Sequence, residues 1–205
     1  MTQNKLFWSL PYAMRQLLFK WNNPQEYLIL QDLKLSIPKK LSAPTFKPFL
    51  EHKCIFVHIP KAAGVSVGYS LFQRHTGNHT TIAEYQMAFS QKEFGSFYKF
   101  TFVRNPWDRL LSAYLFLKAG GRNKGDKKWA EEHLSCYSDF TAFVLDWVNP
   151  KNVQLGIHFK PQHLFVTNPG SKKLQVDFVG KFESIETDYL TVKKQLGRGG
   201  NLKFE

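Results

Sequence analysis

Strand-length apolar runs in this chain repeatedly break at a loop and resume as a helix, and that alternation limits the folds open to it. "CIFVHI" (54–59) is short, continuously apolar and rich in β-branched and aromatic residues, the texture of a strand buried on both faces. A glycine-bearing loop follows, and 66–74 reads as a helix. "FYKFTFV" (97–103) is a second such strand, and Pro106 to about Lys118 a second helix. Further on, a helix is expected near 139–148, a strand at "VDFVGKF" (176–182) and a helix from about 184 to 196. Strands alternating with helices predict a three-layer α/β domain whose central parallel sheet is flanked by helices. In such sheets ligands bind beyond the carboxyl ends of the strands, where loops feed into helix N-termini.

Two of these loops carry groups suited to anions. In "HIPKAAGVS" (58–66), Lys61 can set a positive charge on a phosphate or sulfate oxygen, Gly64 permits close approach, and Ser66 can donate a hydrogen bond. Backbone N–H groups at the helix start complete a cradle. The spacing is not GxxxxGK[ST], because the lysine precedes the glycine. An ordinary strand-to-helix turn with a surface lysine is the competing reading of this segment alone.

The second loop is "RNPWDRLLSAY" (104–114). Asn105 is a good N-cap, Pro106 suits the first helical position, and Asp108 complements the helix dipole. None of these needs Arg104. At 100° per residue Leu110, Tyr114 and Leu117 share one face, while Ser112 points to roughly the opposite side. A guanidinium fork at the strand end and a hydroxyl on the exposed side of the helix suit a phosphate monoester. A surface ion pair and a solvated serine would be the bland alternative.

Composition bounds the rest. At 205 residues, 43% of them hydrophobic and 16% aromatic, the chain supports one well-cored domain and a modest extension. Its net charge of +12 points to an anionic partner, which charge alone does not identify among nucleotide, polyanionic glycan, nucleic acid and acidic lipid. Cys54 and Cys136 make no disulfide framework, and no CxxC or HExxH spacing points to a metal. No apolar run reaches the roughly 18 residues of a membrane span, and "KLFWSLPYAMR" lacks a cleavage site, so a cytoplasmic location is expected. The N-terminal aromatic and basic residues could contact a membrane surface peripherally, packing being the blander reading. Residues 1–50, with five prolines, read as an N-terminal extension or connector, and "SIPKKLSAPTFKPF" as an extended stretch within it.

The paired motifs resemble those of the sulfotransferases that use PAPS (3′-phosphoadenosine 5′-phosphosulfate), in particular the carbohydrate branch (heparan- and chondroitin-type and bacterial) with "HIPKTAGTS"-like and "RNPxxRxxSxY"-like motifs. Here they stand as "HIPKAAGVS" and "RNPWDRLLSAY"; "FKPQHLFV" and "VDFVGKFESIETDY" are similar to the branch's second half. The likeness covers about residues 52 to 198 and places a sulfotransferase-like domain at 51–205. It implies a P-loop nucleotide-binding fold, PAPS as donor and PAP as product, no metal, and a carbohydrate acceptor, which could be an anionic glycan; no nucleic acid is expected. It implies that Lys61, Ala62, Ala63, Gly64, Val65 and Ser66 hold the 5′-phosphosulfate and that Arg104 and Ser112 hold the 3′-phosphate. The family usually has Thr where Ala62 and Val65 stand, which leaves backbone N–H groups to replace two hydroxyls. It also usually continues past "LGRGGNLKFE" with a helical tail, so a C-terminally truncated domain is expected.

The reading is therefore sulfuryl transfer from PAPS to a carbohydrate hydroxyl, with Lys61 stabilising charge on the leaving phosphate and a histidine as base. "NHTTIAEY" is similar to the family's "GHxTxxE"-like stretch, which selects His79; His75, at a helix end beside Arg74, is expected at the surface. His158, Lys160 and Gln162 in "HFKPQH" are candidate acceptor contacts, with loop packing as the competing reading. Glu183 could fix loops around the site or cap a helix, the cap being the preferred reading, and "KAGGRNKGDKK" (118–128) reads as a solvated flexible loop or, more sharply, a glycan contact. A P-loop kinase would need a Walker lysine with a Mg²⁺-binding Ser/Thr, and neither occurs. A non-catalytic basic module that binds nucleotides or polyanions is the alternative, though it predicts charge without two ordered anion loops.

Overall fold

The computed structural model describes residues 5–197 and 199–204. Three short helices open the chain, α1 (Lys5–Ser9), α2 (Tyr12–Asn22) and α3 (Pro24–Leu35), and α4 (Lys47–His52) leads into strand β1 (Cys54–Val57). Then come α5 (Gly64–Phe72), α6 (Ile82–Ala88), α7 (Gln91–Ser96), β2 (Tyr98–Val103) and α8 (Pro106–Lys118). The remainder runs α9 (Lys124–His133), α10 (Phe140–Asp146), α11 (His163–Val166), β3 (Phe178–Lys181) and α12 (Ile185–Leu196).

The three strands form one parallel sheet in the order β1-β2-β3. Val57 pairs with Thr101, and Val103 with Lys181, so the carboxyl ends of all three strands lie along one edge. β1 is buried at every position, as a parallel strand covered by helices on both faces must be. Thr101 keeps its hydroxyl satisfied inside this core by donating to the Val57 carbonyl at 2.7 Å. Phe46, Phe49, Phe56, Phe89, Phe100 and Phe102 are fully buried around the sheet. A second cluster, built on Tyr114, Phe143, Trp147 and Phe159, packs α8 against α9 and α10.

Two segments depart from the sequence reading. The N-terminal segment is helical over 12–22 and 24–35, and it delivers Phe19 and Leu30 to the main core. Arg15 donates to the Gln86 side chain at 2.7 Å and Gln16 to the Phe89 carbonyl at 2.6 Å, which fixes α2 against α6. Residues 36–46 are the part of the stretch "SIPKKLSAPTFKPF" that is neither helix nor strand, with a turn in which Ala43 N donates to the Lys40 carbonyl at 3.1 Å. The run 118–128, expected as a flexible loop, is helical from Lys124: Asn123 caps α9 by accepting from Asp126 N at 3.0 Å. Glu131 and Glu132 then sit one turn beyond Lys127 and Lys128, with gaps of 4.0 and 3.7 Å, so the charge run is a solvated helix face.

Candidate active site

Both motif loops leave the sheet at its carboxyl edge. The first turns sharply, with Lys61 at φ 64 and Ala63 at φ 59, and delivers the chain into α5. Such left-handed backbone in non-glycine residues recurs at Asn78 (φ 56) and His79 (φ 59), on the loop before α6. Gly64 is required by crowding: a Cβ there would lie 1.8 Å from Cδ2 of the buried His58 ring. Arg109 secures the same loop from α8, its Nε donating to the Pro60 carbonyl at 2.8 Å. Burial lowers the Arg109 pKa to about 10, so it remains a cation at neutral pH.

At the end of β2, Asn105 caps α8 as expected, accepting from Trp107 N at 3.0 Å. Gln162 accepts from Arg104 N at 3.0 Å and donates to Arg104 O at 2.7 Å. Its amide is thus occupied by the Arg104 main chain. Glu183 accepts from Asn105 N at 2.6 Å, and α12 follows its N-cap Ser184 with no side-chain cap; the carboxylate fixes the 104–105 turn instead of capping a helix. The Arg104 guanidinium lies over the Phe182 ring at 4.4 Å, and its buried Nε has no hydrogen-bond partner.

Two cavities open on this edge. One, of about 470 Å³, is lined by Lys61, Arg104, Ser112 and Phe116 together with Leu111 and Leu115. The other, of about 650 Å³, is lined by Ala63, Gly64, Val65 and Ser66 at the head of α5, and by His58, His75, His79, Asp126 and His158. Lys61 and Phe116 line both. The Lys61 ammonium rests 4.0 Å above the Phe116 ring, and its pKa is lowered by burial and then by Arg104, with Asp126 opposing. Two cations that disfavour each other beside unpaired donors make a place for an anion. Ala62 is buried behind the loop and lines neither cavity.

The histidines gather in the larger cavity. His79 Nδ1 stands 3.2 Å from the His58 carbonyl, which can only accept, so Nδ1 carries the proton and Nε2 the lone pair. Burial pulls the His79 pKa down to about 4, against the opposing backbone bond. His58, fully enclosed, is held well below the usual histidine range by burial. His75, expected at the surface, faces this cavity, with its ring 6.1 Å from that of His58. His158 pairs with Asp126 at 3.2 Å. Lys160 turns away to a neighbouring cavity of about 620 Å³ that also holds Glu26, Glu84 and His163. Among the described residues no group of three or more His, Cys, Asp or Glu is arranged to hold a metal ion.

Sequence reasoning passed over Arg109 and Asp126. The signal for Arg109 was its helical register, one and two turns before the apolar Ala113 and Leu117, where a solvated arginine does not belong. Asp126 was the one acidic residue of a basic run.

Comparison with known proteins agrees with these motifs. The family model described as "Sulfotransferase family" matches residues 45–205, and the chain belongs to that family. It is also 29% identical, over 108 residues, to a protein of Archaeoglobus fulgidus named "Uncharacterized protein"; the match covers 52% of this chain and 73% of that protein. No solved structure matches the chain.

Proposed function

We propose that the chain transfers the sulfuryl group of PAPS to a hydroxyl of a carbohydrate, giving PAP and a sulfate ester, on a domain of P-loop nucleotide-binding type. The observation that carries this reading is the place of Lys61, which lines the cavity of Arg104 and Ser112 and also the cavity of His79. An in-line displacement needs a cation where donor and acceptor meet, because charge grows on the leaving oxygen there.

PAPS supplies the activated sulfuryl group. Arg104 and Ser112 hold its 3′-phosphate, the unpartnered guanidinium Nε being the donor left over for it. The first turn of α5 presents backbone N–H groups to the 5′-phosphosulfate, with Ser66 beside them and Ala62 and Val65 contributing main chain only. Lys61 meets the developing charge. His79 is neutral at physiological pH, with its lone pair on Nε2, and takes the acceptor proton. His158 lines the space for the acceptor, Lys160 lines the neighbouring cavity instead, and Gln162 serves the 3′-phosphate side through Arg104.

The test is release of PAP from PAPS in the presence of a panel of neutral and anionic glycans, with labelled sulfate followed onto the sugar. No transfer to any glycan, together with equal affinity for PAP and AMP, would sink the reading. The N-terminal segment supplies a membrane contact in this proposal: Met14, Leu17, Leu18 and Trp21 form an exposed apolar stripe on α2. Co-sedimentation with phosphatidylserine-containing vesicles that is unchanged by Trp21→Glu would refute that contact. No helix among the described residues is long and apolar enough to cross a membrane.

A further inference from the structure

We propose that Asp126 and His158 form a proton-accepting pair on the acceptor side of the larger cavity, and that the proton of the acceptor hydroxyl comes to rest there. The inference rests on reading this cavity as the place of sulfuryl transfer. His158 Nε2 lies 3.2 Å from Asp126 Oδ1, and the two side chains are only 11% and 15% exposed. A carboxylate accepts, so Nε2 carries the proton and the lone pair is on Nδ1. That Nδ1 is buried and has no hydrogen-bond partner. It is an acceptor held ready in a protein interior, where such atoms are normally satisfied.

The carboxylate is itself fixed. Its Oδ2 accepts from Arg122 N at 2.9 Å and from Asn123 Nδ2 at 3.1 Å, and its own N–H is bound by Asn123 Oδ1 at 3.0 Å. Asp126 thus sets the tautomer and the ring plane of His158, the arrangement by which a carboxylate makes imidazole an oriented base. Phe116 packs against the ring with centroids 5.0 Å apart and stands between it and the Lys61 ammonium.

His79 alone is a poor resting place for the proton. It hydrogen-bonds a backbone carbonyl, and His158 and His75 oppose its charging while Asp126 favours it. The His158 and His79 rings stand T-shaped with centroids 5.8 Å apart in the same cavity, and in this proposal the proton is handed from one ring to the other. Burial lowers the His158 pKa, with Lys61 and Arg109 adding to the effect, and the Asp126 carboxylate opposes them at hydrogen-bond distance, a counter-charge that His79 lacks. Both pKa values are lowered, His79 by burial first and in part by His158, so both rings are neutral before transfer and at most one proton is shared between them after it. In the transfer, the acceptor oxygen bonds to sulfur as the bond from sulfur to the bridging phosphate oxygen breaks. The electron pair leaves with PAP, and the hydroxyl proton passes through His79 to His158 Nδ1.

Three proteins test this: Asp126→Asn, His158→Gln and the double variant, with PAP affinity and thermal midpoint measured beside turnover on a glycan found active with the unchanged protein. Each single variant should lose roughly 10–100-fold in kcat near neutral pH with PAP affinity held, and the double variant should lose little more than either. Asp126→Asn should also move the acid limb of the kcat profile to lower pH, since His158⁺ loses its counter-charge. Nitrogen-15 spectra should show His158 protonated at Nε2 in the unchanged protein and titrating at lower pH in Asp126→Asn. Unchanged kcat in both single variants, or His158 protonated at Nδ1, overturns the pair while leaving the sulfuryl-transfer reading standing. Absence of transfer by the unchanged protein overturns that reading, and the catalytic pair with it.

Discussion

Gln162 grips the main chain of Arg104 from both sides, accepting from its N–H at 3.0 Å and donating to its carbonyl at 2.7 Å. The side chain that would meet a 3′-phosphate is therefore aimed by a residue from a segment 58 positions away. Arg104→Ala should erase most of the preference for PAP over AMP, a loss of about 2–4 kcal/mol for a partly buried charged contact. Gln162→Ala should lower PAP affinity by about 1–2 kcal/mol without removing any ligand contact, and Gln162→Glu, which cannot donate to the carbonyl, should not restore it. Calorimetric titration with both nucleotides checks this; a Gln162→Ala protein that binds PAP normally would separate the clamp from the site.

Lys61 should matter more in turnover than in binding. It faces both cavities, and the charge it meets grows as the sulfuryl group departs. Lys61→Ala is expected to lower kcat by roughly 10²–10³-fold, the scale of losing one preorganised donor, with a smaller change in PAP affinity. Intact turnover in that variant would remove lysine from the chemistry.

Gly64 and His58 compete for one volume. The missing Cβ of Gly64 leaves room for the His58 ring, and a methyl there would lie 1.8 Å from Cδ2. Gly64→Ala should destabilise the protein by about 1–3 kcal/mol through overpacking and weaken PAP binding. Adding His58→Ala to Gly64→Ala should recover part of the stability, because the clashing ring is gone. Urea midpoints of the two proteins decide it, and an additive loss would show that the glycine serves another purpose.

Much of the fold was legible because β1 and the middle of β2 are buried on both faces. "CIFV" and "FYKFTFV" could only be covered strands, and Asn105-Pro106 marked the start of α8 through local cap chemistry. Of the candidate site, Lys61 and Arg104 stood out in the sequence because each loop carried its own local logic, and the structure sets both beside one cavity. Residues whose roles are made by tertiary contact were not. Gln162 had nothing nearby in sequence to say that it holds Arg104, and Glu183, open to a loop-fixing or a capping role, had nothing local to show that its partner is Asn105. The α2–α3 hairpin was hidden by its prolines, although Pro24 stands at a helix start, where proline is tolerated. Gly125 and a dense basic run masked α9, whose only early sign was Asn123 three residues before Asp126.

The buried histidines should make the protein acid-labile in a defined window. Burial holds His79 near pH 4 and His58 well below the usual value, whereas both return to about 6.5 when the chain unfolds. Between these values the unfolded chain binds protons that the folded one refuses, so stability rises with pH through the window and falls as pH drops from about 6.5 towards 4. The urea midpoint should therefore fall steadily over that interval and be nearly flat just above it. His79→Asn should flatten part of the slope, and asparagine suits the site because it tolerates the left-handed backbone found there, at φ 59. The remaining slope belongs to His58. The same variant should lower turnover by roughly 10²–10⁴-fold, the scale of general base catalysis, with PAP affinity nearly unchanged. A His79→Asn protein with the full acid slope would mean that His79 is solvated; one with normal turnover would pass the first proton transfer to His158.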